Sequence, residues 1–151
     1  MFSSSPANVR AMSAYRQVNA EASVDRADPH QLISLLFDAL LQSLAGARGA
    51  MARGNVQEKG QHIVKAVRLI EEGLKAGLNT EEGGPLAGNL LALYDYSVHR
   101  LTLANLRNDA GLIAEVAGLL EPVAQSWRQI GSTQAATAMK NSATMSRVAG
   151  A

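Results

Sequence analysis

The chain contains no cysteine, and among its 151 residues there are only two phenylalanines, three tyrosines and one tryptophan. Without thiols, disulfide scaffolds, zinc–thiolate sites and cysteine nucleophiles are excluded. With aromatics at 4%, leucine, isoleucine, valine and alanine must fill any core, which suits helix-on-helix packing better than a β-sandwich. Charge of one sign is scarce too. The formal net charge of +1 gives no field strong enough to hold nucleic acid or an anionic lipid surface. No uninterrupted apolar run approaches the ~18 residues of a membrane span; even "LISLLF" stops at Asp38. The opening "MFSSSPANVR" lacks the apolar centre of a secretory signal. Together these absences predict a soluble, cytoplasmic helical protein without membrane insertion.

What is present agrees with that class. Hydrophobic residues make up 47% and charged residues 18%, ordinary for one globular domain of this length. Apolar residues recur with the helical period, and nothing alternates as a strand would. The first helix is expected from Pro29 to Ala52, with Asp28 as N-cap and Pro29 at its first position. It ends at "ARGN", where Gly54 supplies a left-handed stop. The second starts at the Asn55 cap, with Glu58 three residues on. Its seam of Val56, Gly60, Ile63, Val67, Ile70 and Leu74 runs towards Gly77. After the loop "LNTEEGGP", the third runs from Pro85 to Arg107. The fourth runs from Ala110 to about Ile130, with Ile113, Val116, Leu120, Val123, Trp127 and Ile130 in an unbroken 3-4 register across Pro122. Matched lengths and short connections predict an all-α, antiparallel up-and-down four-helix bundle.

Both ends differ from this pattern. Residues 1–24 form an N-terminal segment in which Val9, Met12, Tyr15 and Val18 fall three apart. That spacing predicts a short amphipathic helix lying on the bundle, which itself takes up residues 25–131. Residues 132–151 are small and polar; they lack the apolar surface that would offset ordering, so a disordered tail is expected.

Sites for chemistry are hard to find. A di-metal bundle needs Glu-x-x-His pairs, and His30, His62 and His99 make none. Glu58 and His62 read as a solvated pair, and His30, in a first turn, as exposed. There is no Gly-x-Ser-x-Gly elbow. "EEGGPLAG" lacks the lysine and spacing of a phosphate loop. The carboxylates Glu71–Glu72 and Glu81–Glu82 are adjacent in sequence and diverge around a helix. Lys59, Lys65, Arg68 and Lys75 are interleaved with Glu58, Glu71 and Glu72, the pattern of a solvated helix face. The expectation is a protein that is not an enzyme and carries no metal or cofactor.

What remains is an apolar surplus. The first helix carries one stripe of Ile33, Leu36, Phe37, Leu40 and Leu44, and beyond it Leu32, Leu35 and Leu41. The third helix is apolar on more than one side as well, through Leu91, Tyr94 and Val98 among others. A bundle helix facing two neighbours would show this. So would a groove that accepts an amphipathic partner helix, with the Val9–Val18 segment as its built-in cover.

The stretches "AYRQV", "DPHQLISLLFDALLQSLAGAR", "KAVRLIEEGLKAGLN", "GGPLAGNLLALYDYSVHRL", "ANLRND" and "SWRQI" resemble, in order and spacing, the FliS family of flagellar secretion chaperones. The resemblance runs from about Ala14 to Ile130 and leaves out the tail. It implies a cytosolic helical bundle without catalytic activity that binds the C-terminal segment of flagellin. On this reading the chaperone prevents premature polymerisation and delivers its guest to a flagellar export-gate component. It also implies that the segment bearing Tyr15 covers part of the binding surface and gives way to flagellin. Candidate positions are then Met12, Tyr15 and Val18 in the cover, and Leu32, Leu35, Leu41, Leu91, Tyr94 and Val98 in the groove. The free protein is expected to be a monomer or weak homodimer. A structural protein that self-associates through the same apolar surplus is the alternative, and it would be a stable oligomer when alone.

Overall fold

The computed structural model describes residues 28–79 and 81–150, with side chains described through residue 131; the described residues are helices and the turns joining them. Helix α1 spans Pro29–Ala52. Helix α2 spans Val56–Arg68 and is carried on by a π-helical stretch, Leu69–Lys75. Helix α3 spans Gly84–Arg107, and α4 spans Ala110–Gly150. Met12, Tyr15 and Val18 lie outside the described residues.

Local chemistry sets the starts and stops. Asp28 accepts a hydrogen bond from the Gln31 N–H at 2.6 Å, satisfying an amide that has no partner within the helix. Beyond α1, Gly54 takes φ +72°, a left-handed turn that glycine adopts without steric cost. The Asn55 side chain accepts from the Glu58 N–H at 3.1 Å, and its Nδ2 donates to Glu58 Oε2 at 3.2 Å. Helix α3 stops at Asn108, also left-handed at φ 52°, a conformation asparagine tolerates better than most residues. Helix α4 continues across Pro122, as the unbroken register predicts, and its backbone is helical as far as Gly150.

The π-helical stretch is not signalled by the sequence. Its i→i+5 hydrogen bonds widen the turn, so that Leu69, Ile70, Gly73 and Leu74 are all buried.

Pairwise contacts give the topology. A Cβ on Gly46 would lie 2.6 Å from the His62 ring, and one on Gly77 would lie 3.6 Å from Ile33, so α1 and α2 run antiparallel. Lys59 with Asn105 and Lys75 with Asp95 join the second rod to α3. Arg100 and Tyr96 both reach Glu115 at 2.7 Å, joining α3 to α4. His30 with Trp127, and Arg128 with Asp38 at 2.6 Å, close the ring between α4 and α1. The core between the four rods is made by Leu36, Phe37, Leu40 and Leu44 of α1, Ile63 and Ile70, Leu101, and Ile113, Val116 and Leu120. Each such side chain contributes about 1.5–3 kcal/mol by leaving water. By length and composition α1 would pass for a membrane span, but its apolar stripe is spent inside this core.

Four placements differ from expectation. Val56 and Ile130, assigned to core seams, are 60% and 44% exposed; both stand at ends of the packed region, where a neighbouring rod no longer covers them. Lys59, assigned to a solvated face, is 3% exposed. Its ammonium donates to the Asn105 carbonyl at 2.9 Å and to Asn105 Oδ1 at 2.7 Å. There it satisfies a last-turn carbonyl at the negative end of the α3 dipole. His30 is half-buried, stacked on Trp127.

Candidate functional site: the groove between α2 and α3

The three extra leucines of α1 do not form one stripe. Leu35 and Leu41 are six residues apart, which at about 100° per residue puts them roughly 120° apart around the helix. Leu35 lies about 20° from Gly46, the residue under the His62 ring, and so borders α2. Leu41 lies about 20° from His30, the residue on Trp127, and so borders α4. Both are half-buried against the core, as is Leu32. The reading in which α1 faces two neighbours accounts for all three.

Tyr94 also moves from its assigned place. It is 3% exposed, and burial pushes its hydroxyl up to about 12. It is a core residue and presents no surface to a partner.

Leu91 and Val98 remain at a surface. They are seven residues apart, on one flank of α3, and both are half-buried. Asp95 on the same flank reaches Lys75 at 2.6 Å, so this flank faces the second rod. On that rod Val56, Gly60 and Val64 follow at intervals of four; Val56 and Val64 are 60% and 56% exposed. A Cβ on Gly60 would come within 3.9 Å of Asn105 Oδ1 of α3, so this stripe borders α3 in turn. Apolar residues of both rods thus border the α2–α3 seam, Val56 and Val64 towards the end of α3 and Leu91 and Val98 nearer its start. An open depression of roughly 600 Å3 runs along the outer face of α2, lined by Gly60, Gln61, Val64, Lys65 and Arg68.

Sequence reasoning named Leu91 and Val98 but missed Val64, and it placed Val56 and Gly60 inside. The signal was available. A four-residue interval drifts about 40° per step around a helix, so from Val56, which keeps the seven-residue line of Ile63 and Ile70, first Gly60 and then Val64 walk away from that seam. Further exposed large residues are Leu86 on α3, Leu106 at its end, and Leu119 and Ile130 on α4.

The rims are ion-paired. Lys75 bridges Asp95 at 2.6 Å and Glu71 at 3.3 Å, and its ammonium is held above its usual range, chiefly by the hydrogen bond to Asp95. Arg68 reaches Glu72 at 3.2 Å. On the far side of α2, Glu58 pairs with Arg53 at 2.6 Å and His62 at 3.5 Å. Its carboxyl is held below the usual range, first by the Arg53 hydrogen bond. Chemically, the groove offers apolar surface bordered by charge, and among the described residues no nucleophile and base are brought together along it. That is the equipment for holding a side-chain row of another polypeptide.

A family model described as "Flagellar protein FliS" matches residues 11–134. The flagellar secretion chaperone FliS of Salmonella typhimurium is 51% identical over 117 residues, 78% of this chain and 87% of its own. The flagellar secretion chaperone FliSB of Pseudomonas aeruginosa is 49% identical over 119 residues, 79% of this chain and 94% of its own. The Escherichia coli flagellar secretion chaperone FliS is 41% identical over 116 residues, 77% and 85% of the two chains.

Proposed function

The chain belongs to the FliS family of flagellar secretion chaperones, and from that premise we propose that its guest is the C-terminal segment of flagellin. The protein holds this segment in the cytosol, keeps it from polymerising, and delivers it to the flagellar type III export gate. Its role is binding rather than catalysis.

The observation that carries this reading is the apolar surface that both rods present along the α2–α3 seam. Val56 and Val64 of the second rod stand more than half exposed, and Leu91 and Val98 are half-buried on the flank of α3 that faces that rod. Filament subunits join through apolar terminal helices, so a carrier has to shield those helices and later let them go. Coupled folding meets both needs, because the ordering cost of a disordered guest is subtracted from its contact energy. Met12, Tyr15 and Val18 act, in this proposal, as a displaceable cover for part of the groove. Leu32, Leu35 and Leu41 act only through their exposed edges.

Titration calorimetry with the C-terminal peptide of the flagellin from the same cell tests the proposal. The expected result is a one-to-one complex with a negative heat-capacity change, the mark of apolar burial. Val64→Asp should weaken it at least about tenfold, since an unpaired carboxylate would be desolvated in the interface. Absence of any heat of binding, together with a stable oligomer in the free state, would return the protein to the self-assembling class. Delivery is tested separately: the cytoplasmic domain of the export gate should retain the chaperone more strongly when flagellin is bound.

A further inference from the structure

We propose that the outer face of α2, beside this groove, selects an acidic stretch of guest helix, with Lys65 and Arg68 as the cations that read it. The inference rests on the reading of the groove as the flagellin site and adds the chemistry of what lies over that outer face.

Three observations support it. First, the only charged residues among the described lining of the 600 Å3 depression are the two cations, beside the apolar floor of Gly60 and Val64. Second, apart from Glu72 the nearby carboxylates are already engaged elsewhere. Asp95 and Glu71 share Lys75, and Glu58 holds Arg53 and His62 on the opposite flank. Lys65 has no carboxylate within 4 Å among the described residues, and the Arg68–Glu72 pair is an exposed i,i+4 contact, weak enough to be exchanged for a guest carboxylate. Third, Arg68 stands one turn beyond Val64 on the same line of α2, with Lys65 next to it. A guest helix that seats an apolar side chain on Gly60 and Val64 therefore brings its residues three or four places on over these cations. The fitting guest has apolar anchors at i and i+4 with Asp or Glu beside them. Cations at a rim act mainly on encounter rate and partner choice, and their effect is screened by salt.

The experiment uses the full chain and the C-terminal flagellin peptide, by calorimetry at low and high salt and by stopped-flow mixing. Lys65→Glu with Arg68→Glu should weaken binding about tenfold at low salt, mostly through the association rate, and the deficit should shrink at high salt. Arg48→Glu with Arg107→Glu makes the same change in net charge away from the groove and should stay within about twofold of wild type. If circular dichroism shows the charge-reversed variant unfolded, Lys65→Gln with Arg68→Gln serves, with a smaller loss expected. A peptide whose acidic residues are changed to Lys should bind the charge-reversed chaperone better than the wild type. Equal losses in both double variants, or wild-type affinity in the groove variant, overturn the assignment while leaving the flagellin reading intact. A wild-type chain that ignores the peptide overturns that reading itself, and this inference with it.

Discussion

The imidazole of His30 lies flat on the indole of Trp127, with ring centroids 4.8 Å apart and planes 8° from parallel. Each residue also holds the other's backbone: Trp127 Nε1 donates to the His30 carbonyl at 2.9 Å, and His30 Nε2 donates to the Trp127 carbonyl at 2.6 Å. The second bond requires the proton on Nε2. Ninety-seven residues of sequence separate the two, and their contact ties the first turn of α1 to α4. Gly131 also lies against the imidazole, and any Cβ there would collide with the ring.

This clasp is expected to contribute strongly to stability. Trp127→Ala should cost about 3 kcal/mol, the low end for a tryptophan because the indole is only half-buried. His30→Ala should cost about 1 to 2 kcal/mol, and the double variant less than the sum of the two. Gly131→Ala should displace the imidazole and shift the fluorescence of the single tryptophan. Urea unfolding of the four variants checks these values; a loss under 1 kcal/mol for Trp127→Ala would show the clasp to be dispensable.

Alkali should destabilise the fold through Tyr94. Its hydroxyl titrates near 10.0 when free and near 12 when buried, so between these values the unfolded chain gives up a proton that the folded chain keeps. The stabilisation is whole below pH 10 and is lost as pH rises towards 12, by about 2 to 3 kcal/mol. Tyr94→Phe should leave stability at pH 7 nearly unchanged and flatten the alkaline fall. Thermal melts from pH 8 to 11.5 measure both. An unchanged alkaline slope in Tyr94→Phe would mean that the ring is accessible in the folded state.

Lys59 should behave as a structural lysine. Lys59→Met keeps the aliphatic stem but strips two hydrogen bonds from Asn105, leaving acceptors at the end of α3 without their donor. A cost of about 1.5 to 3 kcal/mol is expected for a buried charged donor. Lys65→Met, a few residues along the same helix but exposed, should change stability by less than about 0.5 kcal/mol. Chemical denaturation of the pair decides it, and equal effects would contradict the burial of Lys59.

Removal of residues 1–24 should leave the melting temperature nearly unchanged while affinity for the flagellin peptide holds or rises. That outcome follows if Met12, Tyr15 and Val18 form a displaceable cover. A large fall in melting temperature, measured by calorimetric scanning, would instead make these residues part of the permanent core.

The sequence by itself determined the helices and most of their ends. Asp28, Pro29, Gly54, Asn55 and the pause before Pro85 act through atoms within a few residues, and apolar periodicity is a property of one helix alone. The bundle class follows from helix length and loop length in the same way. Tertiary structure alone decided which side of each helix is inside. Leu35 and Leu41 look alike in sequence, but they border different neighbours; Tyr94 is enclosed, Val56 is uncovered, and Lys59 turns inward to Asn105. A helix displays all its faces equally until other rods settle around it. Whether a residue at the edge of a stripe is covered therefore depends on partners such as Trp127 and Asn105, which lie far along the chain and give no local sign of where they will stand.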